Sequence, residues 1–403
     1  MERAEDTAVR DTAERQVPTT PLRVMLVYGT RPEAIKMAPL ALAMDKSPQF
    51  EPICVVTGQH REMLDQVNAF FGITPDIDLG IHRPGQTLTQ VTTGTLEGVG
   101  GVLDSLAPDV VMVQGDTTSA FAAGLAAFYR SIPLFHVEAG LRTGNLRSPF
   151  PEEGNRRLLG QISSIHFPPT AGSRENLLRE NVSPMQMHVT GNTVIDALHL
   201  AVQRPLPSGD TALDALVADQ ERRLVLVTAH RRESWGEPMV GIARGIATAA
   251  HANPETTFIL PVHRNPIVRG ALLPVVEEID NVLVTEPLEY GAFCTVMNRA
   301  ELVVTDSGGI QEEAPALSKP VLVLRDNTER PEAIEFGVAK LIGTEPERIA
   351  TEINTLLCDR DAYAAMAHAV NPYGDGRASQ RILAATAHYF GRGEAEPDFA
   401  PGR

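Results

Sequence analysis

The chain is poor in cysteine, in cationic side chains and in long apolar runs, and each shortage removes a class of function. Three cysteines, Cys54, Cys294 and Cys358, are spread over 403 residues. The odd count and wide spacing disfavour a disulfide framework or a thiolate metal centre. Each sits in an apolar stretch and reads as a buried free thiol. No close His/Cys spacing suggests a metal site elsewhere. The longest apolar runs, such as Val110–Val113 and Leu224–Val227, are of strand length. They fall well short of the about 18–20 apolar residues that a membrane-spanning helix needs. Residues 1–20 lack an apolar core, so they read as a disordered leader rather than a secretory signal, and a reducing cytoplasm is the expected compartment. Residues 391–403, polar and bearing Pro and Gly, are expected to be loose. Lys and Arg number 35 against 51 Asp and Glu, a formal charge of −16. Nucleic acid is therefore excluded as the main partner, because phosphate backbones need a basic footprint. No G-x-G-x-x-G follows the first strand, which disfavours a nicotinamide or flavin dinucleotide. No cofactor and no metal are expected.

What is present is an alternation of short β-branched runs with helix-length amphipathic stretches. Expected strands are Leu22–Tyr28, Pro52–Thr57, Val110–Gln114, Pro133–Val137, Ile165–Phe167 and His188–Thr190. A second series is Leu224–Thr228, Thr257–Val262, Val282–Thr285, Leu302–Thr305, Val321–Leu324 and Ala339–Ile342. This is the pattern of parallel α/β layering. Two sets of six predict two Rossmann-like, doubly wound domains, over residues 21–195 and 196–375. The run Pro205-Leu206-Pro207-Ser208-Gly209 is the best linker candidate. A final helix, within residues 376–390, is expected to pack back on the first domain. Arg31–Ile35 and Arg330–Ile334 both read Arg-Pro-Glu-Ala-Ile, a helix start with an arginine beside it.

In open α/β sheets ligands sit beyond the carboxyl ends of the strands, so the polar residues after each strand are the candidates. After the first strand, Gly29-Thr30-Arg31-Pro32-Glu33-Ala34-Ile35-Lys36 fits either a phosphate contact or a capped helix with two solvated cations. Asp116, in Gly115-Asp116-Thr117-Thr118, reads most simply as an N-cap. Glu138 follows a strand in His136-Val137-Glu138-Ala139-Gly140-Leu141-Arg142. Glu152 and Glu153 stand at a helix start, where they complement the dipole. Three carboxylate positions on loops of one domain favour acid/base chemistry more than any one alone. In the second half, His230-Arg231-Arg232 and His263-Arg264 supply local basicity at strand ends. The strongest signal is Thr305-Asp306-Ser307-Gly308-Gly309-Ile310-Gln311-Glu312-Glu313. Its two glycines and helix start suit a diphosphate, with Glu313 one turn on beside a ribose.

These motifs, in this order, together resemble the bacterial nonhydrolysing UDP-N-acetylglucosamine 2-epimerases from about Leu22 to Tyr389. The resemblance implies a GT-B-like pair of domains around a cleft, a homodimer, and interconversion of UDP-GlcNAc and UDP-ManNAc. It implies proton transfer by Asp116, Glu138 and Glu152, with His230 at the same catalytic centre holding the departing diphosphate. It implies nucleotide contacts by Arg31, Lys36, Phe293, Ser307, Gly308, Gly309, Glu313 and Arg330. Gln59, Gln86, Arg231 and His263 match a regulatory nucleotide-sugar site of some members, while Glu62 and Gly85 depart from its pattern. Competing expectations are a GT-B glycosyltransferase, a hydrolysing epimerase, a relative acting on another UDP-2-acetamido sugar, and an inactive nucleotide-sugar sensor.

Overall fold

A computed structural model describes residues 20–58, 61–81, 83 and 85–402. The leader and Gln59 lie outside the described residues, Thr20 excepted. The first sheet is built from β1 (Leu22–Tyr28), β2 (Phe50–Val56), β3 (Ile77–Asp78), β4 (Val110–Gln114), β5 (Leu134–Val137) and β6 (Ile165–Phe167). The second contains β7 (Arg223–Thr228), β8 (Thr256–Pro261), β9 (Val282–Thr285), β10 (Leu302–Thr305), β11 (Val321–Val323) and β12 (Ala339–Leu341). All strand pairings are parallel. The first sheet is ordered β3-β2-β1-β4-β5-β6 and the second β12-β11-β10-β7-β8-β9. Read from the other edge, the second order is the first one repeated, and it is the doubly wound Rossmann order.

Parallel sheets are covered on both faces, so their central strands are apolar throughout. β1 sends Leu22, Val24, Leu26 and Tyr28 to one face and Met25 and Val27 to the other. β7 divides Leu224 and Leu226 from Val225 and Val227 in the same way. One apolar cluster is continuous between the sheets and includes Ile35, Val194, Ile195, Tyr290 and Ile310. Helix Thr193–Val202 runs through it, packing on helix Arg31–Asp45 and on helices Tyr290–Arg299 and Ile310–Ala316. The domain limit drawn after residue 195 falls inside this helix. Helix Ala378–Tyr389 packs on Arg31–Asp45 and Thr193–Val202. The buried Asp196 carboxylate caps it, accepting from Ala378 N–H at 3.2 Å and Ser379 N–H at 2.8 Å.

Three expectations are corrected. The sixth strand of the first sheet is Ile77–Asp78 beside β2, not His188–Thr190. Residues 188–190 are extended and bond to the end of β6, His188 N–H to the His166 carbonyl at 3.1 Å, without forming a strand. The tail is docked rather than loose: Phe399 is buried and its N–H donates to the Val189 carbonyl at 2.7 Å. Cys54 and Cys294 are buried but Cys358 is exposed. Among the described residues no helix is long and apolar enough to cross a membrane.

Candidate active site

The carboxyl ends of both sheets meet at a cavity of about 550 Å³. In the first sheet the strand order reverses between β1 and β4, and in the second between β7 and β10. Such switch points open crevices where loops diverge to opposite faces. Arg31 and Asp116 follow β1 and β4; His230 and Ser307 follow β7 and β10. Arg31, Lys36, His230, His263, Phe293, Ser307, Gly309, Glu313 and Arg330 line the cavity. Leu288, Tyr290 and Pro261 supply its apolar wall.

Helix Arg31–Asp45 starts where it does because Thr30 and Glu33 form a capping box. The buried Glu33 carboxylate accepts from Thr30 N–H at 2.7 Å, Gly29 N–H at 2.9 Å and the Thr117 hydroxyl at 2.6 Å. That anchorage aims Arg31 and Lys36 at the cavity. Gly29 is required for close approach, since a Cβ there would lie 2.0 Å from the Thr57 hydroxyl.

On the second sheet, Asp306 organises the basic loop. Its fully buried carboxylate accepts from the backbone N–H groups of His230 at 2.6 Å and Arg231 at 2.7 Å. His230 Nδ1 lies 3.2 Å from the other Asp306 oxygen, and the His230 ring stacks on His263 with centroids 5.8 Å apart. Burial lowers the His230 imidazolium and Asp306 opposes it; the net direction is down. Arg231 pairs with Glu329 at 3.4 Å. Glu329 also stands over Gly308, where a Cβ would come within 2.8 Å of its carboxylate.

Lys36 ion-pairs with Glu138, and Arg330 with Glu312. Burial works against the Lys36 ammonium, but Glu138 and Glu312 outweigh it and raise its pKa. Glu138 therefore stands directly behind a cavity-lining cation. Asp116 is not the helix N-cap; Thr117 takes that place, accepting from Ala120 N–H at 2.9 Å. Asp116 instead receives Arg156 at 2.6 Å. Glu153 is spent locally: it accepts from Thr143 N–H at 3.0 Å and Gly144 N–H at 3.2 Å. Glu152, one residue earlier, keeps a buried Oε2 without a hydrogen-bond partner among the described residues. None of the three carboxylates Asp116, Glu138 and Glu152 is in the cavity wall: Glu138 touches the lining Lys36, Asp116 follows β4, and Glu152 opens helix Glu152–Ile162. Gln86 uses its amide within its own loop, donating to the Ile81 carbonyl at 2.7 Å and accepting from Arg83 N–H at 2.9 Å. Among the described residues no group of three His, Cys, Asp or Glu is arranged to hold a metal ion.

The family model described as UDP-N-acetylglucosamine 2-epimerase matches residues 42–387. The chain belongs to that family. It is 52% identical over 369 residues to the UDP-N-acetylglucosamine 2-epimerase of Escherichia coli strain K12, covering 90% of this chain and 98% of that one. Identity to the Salmonella typhimurium strain LT2 enzyme of the same name is 52% over 374 residues, or 91% and 99% of the two chains. Among solved structures, the Neisseria meningitidis UDP-GlcNAc 2-epimerase bound to UDP-GlcNAc superposes with a TM-score of 0.82 at 44% identity, over 91% of this chain and all of that one. The Methanocaldococcus jannaschii enzyme in complex with UDP-GlcNAc and UDP gives 0.74 at 31%, over the same shares. Within this epimerase frame, the residues that sequence reasoning left without a role are Asp306, Glu312 and Arg156. Each acts through a partner distant in sequence, which no local motif announces.

Proposed function

We propose that the chain interconverts UDP-N-acetylglucosamine and UDP-N-acetylmannosamine by reversible elimination of UDP. The observation that carries the reading is the cavity where the two sheets meet: Arg31, Lys36, His230, Arg330 and the Ser307–Gly309 helix start converge on it, and Glu138 pairs with its Lys36. Carbon 2 of the sugar is not alpha to a carbonyl, so simple deprotonation there is unfavourable. Breaking the carbon 1–oxygen bond to UDP as the carbon 2 proton leaves gives a glycal-type intermediate. Re-protonation on the opposite face and return of UDP complete the exchange.

Arg31, His230, Arg330 and the Ser307–Gly309 backbone would stabilise the departing diphosphate, as charges arranged in advance do best. Phe293 and the Leu288 wall would receive the uracil, and Glu313 the ribose. Asp116, Glu138 and Glu152 would carry the protons, with Lys36 paired to Glu138. A second UDP-sugar held by Gln59, Gln86, Arg231 and His263, a homodimer and a cytoplasmic location belong to the same proposal. Incubation with UDP-GlcNAc in heavy water, without acceptor or cofactor, tests it. NMR should find UDP-ManNAc carrying deuterium at carbon 2, and Asp116→Asn or Glu138→Gln should lose most turnover while still binding UDP. Unlabelled product, or net release of UDP with free ManNAc, refutes the elimination and return.

A further inference from the structure

The ends of β4 and β5 exchange side chains. Gln114, the last residue of β4, reaches across and donates its amide to the Glu138 carboxylate. His136, on β5, reaches back and places Nε2 2.7 Å from the Gly115 carbonyl. The strands are in register there, Gln114 opposite Val137, and Gly115 N–H donates to the Val137 carbonyl at 3.0 Å. The two side-chain bonds therefore flank one backbone bond and form a cross-brace.

Each arm of the brace ends on a carboxylate loop. Gly115 precedes Asp116, so its carbonyl belongs to the peptide that presents Asp116. The next carbonyl, of Asp116 itself, accepts from Asn155 Nδ2 at 2.9 Å. Glu138 has φ of +60°, a left-handed conformation that costs a non-glycine residue and persists only where surroundings impose it. That turn ends strand alternation and swings the carboxylate onto Gln114 and Lys36.

His136 is fully buried, and its Nδ1 has no hydrogen-bond partner among the described residues. Burial pushes its imidazolium down to about 4. The ring is therefore neutral at pH 7, and only the Nε2–H tautomer can bond the carbonyl. A leucine would fill the same space more cheaply unless that one bond matters.

We propose that Gln114 and His136 are positioning residues that set the spacing between the Asp116 and Glu138 carboxylates across the sugar. This rests on the proton-transfer reading above. Misplacement of a reacting group by about 1 Å can cost about 100-fold in rate, while the nucleotide side of the cleft is untouched. Gln114→Leu and His136→Leu should each lower kcat by about 10- to 100-fold and leave the Kd for UDP within about twofold. His136→Gln, whose amide can still donate to Gly115, should recover at least a third of the lost activity on a logarithmic scale. In an Asp116→Asn background, His136→Leu should add less than about twofold.

The measurements are turnover from carbon 2 deuterium exchange and UDP titration by calorimetry. The brace is overturned if Gln114→Leu keeps kcat within twofold, if kcat and UDP affinity fall together, or if His136→Leu costs as much without Asp116 as with it. Should His136→Leu fail to fold, Gln114→Leu and His136→Gln carry the same test. Wild-type turnover in Asp116→Asn and Glu138→Gln sinks the proton-transfer reading itself; loss there with normal Gln114→Leu and His136→Gln sinks the brace alone.

Discussion

Replacing Glu313 by glutamine should make the protein more stable, by a margin that opens above about pH 4.5 and is complete above about pH 7. Glu313 lines the cavity beside Glu312. Burial pushes its carboxyl up to about 7, Glu312 adds to the rise, and Lys36 and Arg31 oppose it. Below about pH 4.5 the folded and unfolded chains both keep this proton. Between there and about 7 the folded chain holds a proton that the unfolded chain has lost, so stability falls as pH rises. Above about 7 the loss is complete. A rise from 4.5 to about 7, at about 1.36 kcal/mol per pH unit, sets a ceiling of about 3 kcal/mol. Water in the cavity reduces it. A domain of 150–250 residues shifts its Tm by about 2–4 °C per kcal/mol, so several degrees are expected. The assay is calorimetric melting of wild type and Glu313→Gln from pH 5 to pH 9. The variant should gain on the wild type from pH 5 to pH 7.5 and hold a constant lead beyond. Buried Glu33 and Asp196, also raised by burial, are common to both proteins and cancel. Parallel Tm curves across the whole range would refute a displaced Glu313 titration.

Because burial holds His230 down in the free protein, an arriving diphosphate should raise it. UDP binding near pH 7 should then take up a fraction of a proton, read as a buffer-dependent enthalpy that His230→Gln abolishes. Asp306→Asn removes the charge behind two backbone bonds at 2.6 and 2.7 Å. Charge-assisted bonds are roughly twice as strong as neutral ones, so UDP affinity should fall about 10-fold and Tm by several degrees; unchanged titrations would count against it. Gly308→Ala puts a methyl 2.8 Å from Glu329 and before the helix-start backbone. UDP affinity should drop about 10-fold with little change in Tm, and an unchanged Kd would show that no phosphate approaches there.

How much was legible from sequence depends on where each residue's partners lie. β1, β4 and β7 are plain because a strand buried on both faces is a continuous apolar run. Ile77–Asp78 is invisible because two residues show no period. His188–Thr190 has the composition of a strand, yet its neighbours are the end of β6 and the tail at Phe399, not a second strand. Phe399 is one aromatic in a polar stretch, and nothing local says that it docks. Cys358 closes helix Pro346–Cys358 at the surface. At the cleft, loops after strands announced Arg31, His230 and Ser307. Gln114, Asp306 and Arg156 act across 24, 76 and 40 residues of chain, and only folding brings those partners together at the carboxyl ends of the strands.

The echoed pentapeptide sharpens this point. Arg31 and Arg330 both line the cavity, each with Pro-Glu-Ala-Ile behind it. A duplicated domain would explain that if the two stood at equivalent places, but they do not. The second-sheet counterpart of β1 is β7, whose loop carries His230 and Arg231. Arg330 follows β11, the counterpart of β5. The two glutamates differ as well. Glu33 turns inward to cap its own helix, whereas Glu332 accepts from Thr170 at 3.0 Å, on a loop after the first sheet's β6. The same five residues therefore serve two topological positions, because a proline-started helix presents the preceding or first arginine at its N-terminus wherever it occurs. The likeness of the two arginines lies in the shared chemistry of a helix start, since their places in the two sheets differ.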